Sequence, residues 1–102
     1  MSGRAHLYSM AQQARASHIL VKTEDEANRL MKRIADGEDF AAVAKRFSGC
    51  PSGKSGGDLG WFGKGQMVPE FEKIAFENDA GKIVGPVKTQ FGFHIIKVTG
   101  RK

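Results

Sequence analysis

A single cysteine among 102 residues excludes an internal disulfide framework and every zinc module built on several thiolates. No apolar run approaches the ~18 residues of a membrane-spanning helix, and the first stretch of the chain lacks the apolar block of a secretory leader. The expectation is a chain with no membrane span, working in a reducing cytoplasm. Charge of one sign is not concentrated either. Sixteen Lys and Arg against eleven Asp and Glu give +5, yet residues 1–48 hold eight bases and six acids, and residues 49–102 hold eight and five. The longest basic runs are Lys32-Arg33 and Lys45-Arg46, both on helical stretches opposite apolar positions. The coherent patch that nucleic acid needs is missing, so no nucleic-acid partner is required. Internal repeats and low-complexity tracts are absent as well.

What remains is ordinary globular material, 40% hydrophobic and 26% charged, of a length that supports one core. Residues 1–13 show neither helical nor strand periodicity and are read as a flexible N-terminal arm or expression remnant, leaving 14–102 as the domain. Ala14 to Lys22 alternates as a strand, Ile19 and Val21 on one face, His18 and Leu20 on the other. Thr23 to Glu26 forms a capping box, and Ala27, Leu30, Met31 and Ile34 then recur as one helical stripe that Gly37 stops. Asp39 caps a second helix bearing Phe40, Val43, Ala44 and Phe47. Seven of the thirteen glycines crowd into residues 49–65 around Asp58-Leu59-Gly60-Trp61-Phe62, a long segment too apolar to be disordered and therefore functional. Pro69 suits the first turn of another helix carrying Phe71, Ile74 and Ala75. Ile83 to Lys88 reads as a strand that Pro86 confines to an edge, and Phe93 to Thr99 as a last strand with His94, Ile96 and Val98 on one face. The class is α+β, a small sheet with helices packed around it.

Four constellations bear on chemistry. Ser48 to Ser55 misses the phosphate-loop pattern only at its first glycine, but a helix precedes it and Gly56-Gly57 follows, so the strand-loop-helix context that aims N–H groups at phosphate is absent. Cys50 is either a gap-filling thiol or a nucleophile served by His18 or His94; its place in a Gly/Pro/Ser loop favours a role at a site. A Cys-His-His zinc site has no local spacing to support it. His18 and His94, on the first and last strands, are placed to meet across the sheet and fix each other's tautomer, with Thr89 or Cys50 as a further partner. Leu59, Met67, Phe71 and Phe91 include large apolar residues on loops, the kind that line a pocket.

Taken in order, five blocks resemble the parvulin family of peptidyl-prolyl isomerases: His18 to Lys22, Phe47 to Ser52, Gly56 to Gly60, Gly65 to Phe71, and Gly85 to Val87 with Thr89 to Ile96. The resemblance spans about residues 14–100. It implies a four-stranded antiparallel sheet surrounded by helices in the order βαααβαββ, and a monomer that needs no metal, nucleotide or other cofactor. By motif it assigns Leu59, Met67 and Phe71 to a proline pocket, Phe91 to its wall and Gln66 to the peptide groove. His18, Cys50, Thr89 and His94 become a polar catalytic network beneath. The implied substrates are proline-containing polypeptides, unfolded or flexible.

One departure narrows them. Phospho-specific parvulins carry a basic cluster after the first strand, whereas Lys22-Thr23-Glu24-Asp25-Glu26 stands here and would repel a phosphoserine. One tryptophan and no leading domain leave no place for an appended WW module. Beside the isomerase stand a non-catalytic module that holds Pro-containing segments, and a thiol hydrolase built on Cys50.

Overall fold

The computed structural model describes residues 12–102. The expected arm at 1–13 therefore lies almost wholly outside the described residues; of its last two, Gln13 opens the first strand, and the backbone N–H groups of Gln12 and Gln13 both donate to the Lys102 carbonyl at 2.9 and 2.7 Å. That strand, β1, runs Gln13–Val21, one residue earlier at each end than the alternation suggested. It is followed by α1 (Glu24–Ala35), α2 (Phe40–Phe47), a 3-10 turn (Pro51–Ser55), β2 (Asp58–Gly63), α3 (Pro69–Glu77), β3 (Ile83–Thr89) and β4 (Gly92–Arg101). The third helix of the expected order is thus only the 3-10 turn, because Gly53, Gly56 and Gly57 leave no room for an α-helical run.

The four strands form one antiparallel sheet in the order β2-β1-β4-β3. Pro86, which has no N–H to offer a second neighbour, sits on the edge strand β3, where the pairing with β4 breaks between Val84 and Val87. The two central strands are buried on both faces, and their alternation sorts residues into two clusters. Ile19, Val21 and Ile95 pack under α1 and α2 against Ala27, Leu30, Phe40, Val43 and Ala44. Ala14, Ala16 and Ile96 face the other way, against Phe62 of β2 and Phe71, Ala75 and Phe76 of α3. Fully burying each large apolar side chain contributes about 1.5–3 kcal/mol, so both faces of the sheet add to its stability.

The helix starts follow from their caps. Thr23 Oγ1 accepts the Glu26 N–H at 3.1 Å, and an Asp39 carboxylate oxygen accepts the Ala42 N–H at 3.1 Å. Acids fill the first turn of α1 and Lys32 and Arg33 its last, both favourable to the helix dipole. Pro69 begins α3 at its first position, where a missing N–H costs nothing.

Candidate active site

Beyond its pairing with β2, β1 is completed by loop rather than strand. The His18 N–H donates to Gly57 O at 3.0 Å, the Leu20 N–H to Ser48 Oγ at 3.1 Å, and the Gly49 N–H to Leu20 O at 2.7 Å. Gly57 makes this approach possible: its φ is +86°, and a Cβ there would lie 2.4 Å from the His18 carbonyl oxygen. The loop carrying Cys50 is thereby laid against the strand carrying His18.

Register does the rest. Leu20 pairs with His94 and His18 with Ile96, so the two histidines are diagonal neighbours on one face. Their rings stack with centroids 5.1 Å apart and Nδ1 to Nδ1 2.9 Å. His94 Nε2 lies 2.7 Å from Thr89 Oγ1, which also accepts the Phe91 N–H at 3.1 Å. One direction of protons satisfies the most groups. The Thr89 hydroxyl donates to His94 Nε2, His94 Nδ1–H donates to His18 Nδ1, and His18 carries its own proton on Nε2. The reverse direction would strand the Thr89 proton as well. His18 Nε2 has no hydrogen-bond partner among the described residues. Both imidazoles are buried, and burial holds both neutral: it pushes the His18 pKa down to about 4, with the His94 charge adding to the shift, and lowers that of His94, against which Glu70 pulls upward.

Above this pair opens a cleft of about 490 Å³. Phe71, in the first turn of α3, stands edge-on to His18 and His94 at centroid distances of 5.6 and 6.3 Å, and Leu59, Met67 and Val68 continue the apolar lining. Phe91 forms an exposed wall, 62% accessible, in the turn between β3 and β4. Gln66 lies at the rim, its Oε1 accepting the Gly63 N–H at 2.8 Å. Of the nine residues singled out in the sequence, eight line this cleft, and Thr89 lies beneath it on His94. Cys50 reaches the cleft wall, but Sγ takes its hydrogen bond from Ser52 Oγ at 3.3 Å rather than joining either imidazole. The same loop that brings the thiol to the site gives it a nearer partner. Sequence reading missed Leu20, Gly49, Pro51 and Val68 as lining residues. Leu20 was legible as the next residue on the His18 face; Val68 carried no signal beyond adjacency to Met67.

The site is thus an apolar cleft floored by buried, neutral imidazoles bonded to one another. The family model for the PPIC-type PPIase domain matches residues 4–102, and the chain belongs to this family, the parvulin-type peptidyl-prolyl isomerases. It is 53% identical over 89 residues to the foldase protein PrsA of Geobacillus sp. (strain WCH70), covering 86% of this chain and 32% of that protein. The crystal structure of PrsA from Bacillus anthracis superposes with a TM-score of 0.87 at 41% identity, over 99% of this chain and 46% of that one. NmPin, the parvuline of Nitrosopumilus maritimus, matches with a TM-score of 0.79 at 42% identity, over 88% and 98%. The chain spans about a third of the length of the curated relatives it matches. These neighbours share the four-stranded antiparallel sheet with its helices.

Proposed function

We propose that this prolyl isomerase domain acts on X–Pro bonds in unfolded or flexible chains by seating the proline ring on Leu59, Met67 and Phe71, with Phe91 closing one side and Gln66 bordering the peptide. The observation that carries the reading is the apolar slot directly over the neutral His18–His94 pair. Rotation about an X–Pro bond crosses a barrier of ~18–20 kcal/mol because the planar imide must lose its resonance. The twisted imide has less charge separation than the planar one. A slot that strips water from it therefore favours the twisted form, and the neutral, fixed imidazoles keep the floor free of ionic charge. Rotation makes and breaks no covalent bond, so Cys50 serves as wall rather than nucleophile. His18, His94 and Thr89 hold the floor's shape and dipoles.

The segment after β1 goes straight from Lys22 into the acidic first turn of α1, which supports substrates without phosphate before proline. The domain is proposed to act as a monomer. The unpaired thiol of Cys50 suits a reducing, cytoplasmic setting, although one similar structure belongs to work on a periplasmic protein described as SurA-like. Among the described residues no helix is long and apolar enough to cross a membrane. Fractionation of cells making the chain, and sedimentation of the pure protein, test compartment and monomer.

The central test is exchange spectroscopy on a proline peptide. The expected result is cis–trans exchange accelerated in proportion to enzyme concentration. Binding without acceleration would assign a holding module instead, and turnover of esters a thiol hydrolase.

A further inference from the structure

The segment that narrowly misses a phosphate loop builds a second, smaller cleft. It encloses about 390 Å³ and shares the wall Gly49, Cys50 and Pro51 with the proline slot. Its other lining includes Lys45 from α2, Lys54 from the 3-10 turn, and Ser48. Neither ammonium has an ion-pair partner among the described residues, and no acid lines the cleft. Ser48 Oγ already accepts the N–H groups of Leu20 and Cys50, so its own proton is left to donate. The side-chain polar groups of the cleft thus include donors, two of them cationic, and the cleft adjoins the slot proposed for the proline ring across their shared wall.

We infer that this cleft receives a carboxylate from the residue beside the proline, so that the domain favours acidic-flanked prolines. Gly49, Cys50 and Pro51 line both clefts, so a Glu or Asp next to a proline seated in the slot adjoins the wall that the lysine cleft shares. Both lysines are exposed, so each long ammonium stem is free to adapt to either oxygen, and the attraction is that of a partly screened surface pair. The inference rests on the isomerase reading above and adds a substrate class to it.

The test compares peptides that differ only beside proline, Ala-Glu-Pro-Phe against Ala-Gln-Pro-Phe and Ala-Lys-Pro-Phe, with a second set placing Glu, Gln or Lys after the proline. The expected result is a kcat/KM about 3–10-fold higher for Glu than for Gln in one of the two sets, shrinking as salt rises, as befits one or two partly screened ion pairs. In Lys45→Gln/Lys54→Gln the Glu-to-Gln ratio falls to about 1, and in Lys45→Glu/Lys54→Glu the Lys peptide becomes the preferred one. Lys73→Gln/Lys82→Gln removes the same charge away from both clefts and keeps the wild-type ratio. A ratio near 1 for wild type in both sets, or an equal fall in the two double Gln variants, overturns the inference and assigns any preference to net charge. Amide resonances of Ser48 and Lys54, followed on titration with the Glu and Gln peptides, decide independently of turnover. Larger shifts with Glu support the cleft and equal shifts overturn it, whereas absence of exchange catalysis on every peptide overturns only the isomerase reading.

Discussion

The two faces of the sheet are drawn from alternate residues of the same two central strands, yet they are built for different ends. Under α1 and α2 the face is Ile19, Val21 and Ile95, aliphatic and sealed by two helices. Under α3 it is Ala14 and Ala16 at one end and His18 and His94 at the other, with Phe71 between the core and the open slot. Small residues let Phe62, Phe71 and Phe76 come close, and their rings meet edge to face at 5.8 and 6.2 Å. The single helix on this side buries Ala75 and Phe76 and leaves its first turn over the histidines. A period of two in the strand thus separates the side that supplies stability from the side that holds polar groups in an apolar setting. Variants on the two faces are therefore expected to fail differently.

The largest effect belongs to the sealed face. Leu30→Ala removes a side chain that is 4% exposed, at an expected cost of about 2–5 kcal/mol in unfolding free energy. Urea denaturation measures the loss, and kcat/KM per folded molecule is expected to stay within twofold. A tenfold loss of turnover in the folded fraction would show that the two faces are coupled rather than separate.

Acid probes the other face. The His18 pKa is lowered in the fold to about 4 against 6.5 for the free side chain, so the unfolded chain takes up the proton first. Stability is full above pH 6.5 and falls as pH drops toward 4, by roughly 3 kcal/mol for a shift of that size. His94, lowered in the same direction, adds to the slope. Asp58, bonded to Arg15, is lowered below its ordinary carboxylate value, so its own contribution is lost only at still lower pH. Denaturation curves across pH 7.5 to 4.5 carry the test, and a flat profile over that window would mean the pair is not buried as neutral imidazoles. His94→Ala is expected to flatten the curve, and to lower stability by about 1–3 kcal/mol because His18 Nδ1 and Thr89 are left unpaired.

The division between the faces was legible in the chain because it is written in periods. The alternation of β1 and β4, the stripe of α1, and the Thr23 and Asp39 caps are local signals whose meaning does not depend on partners. The meeting of His18 and His94 was legible once both were placed on strands facing one way. What the chain hid was set by tertiary contact. Cys50 looked like a partner for the histidines, but the 3-10 turn brings Ser52 to it first. Lys45 looked like a solvated charge on a helix and Lys54 like the lysine of a failed phosphate loop, and only the folding of α2 against the 3-10 turn puts them on one cleft. The extension of β4 to Arg101 was also invisible, since Gly100 is no strand former and sits against Trp61 of β2, 3.0 Å from a built Cβ to the ring.

A middle-sized effect sharpens the boundary between the two functions of the α3 face. Phe71 is 3% exposed and belongs to the core as well as the slot, so Phe71→Ala confounds binding with folding. Met67 is half-buried at the slot's edge and separates them. Met67→Ala is expected to reduce kcat/KM at least tenfold, about 1.4 kcal/mol of transition-state stabilisation, while unfolding free energy falls by less than that. Wild-type turnover in this variant would move the proline ring elsewhere in the cleft.

The smallest effect is expected at Cys50, although sequence reading placed it among the catalytic residues. Its Sγ accepts a hydrogen bond from the Ser52 hydroxyl at 3.3 Å, and its own N–H donates to Ser48 Oγ, so the loop fixes its place without any use of the thiol proton. Serine preserves the hydrogen bond with a slightly smaller atom and lacks a thiolate's nucleophilicity at neutral pH. Cys50→Ser is therefore expected to retain kcat/KM within about threefold, less than 0.7 kcal/mol, with unchanged pH dependence. A covalent route through sulfur would instead cost the reaction its nucleophile, and a folded Cys50→Ser protein would lose activity by orders of magnitude. Measured beside Met67→Ala, this variant distinguishes a slot that works by its shape and dryness from one that works by bond formation.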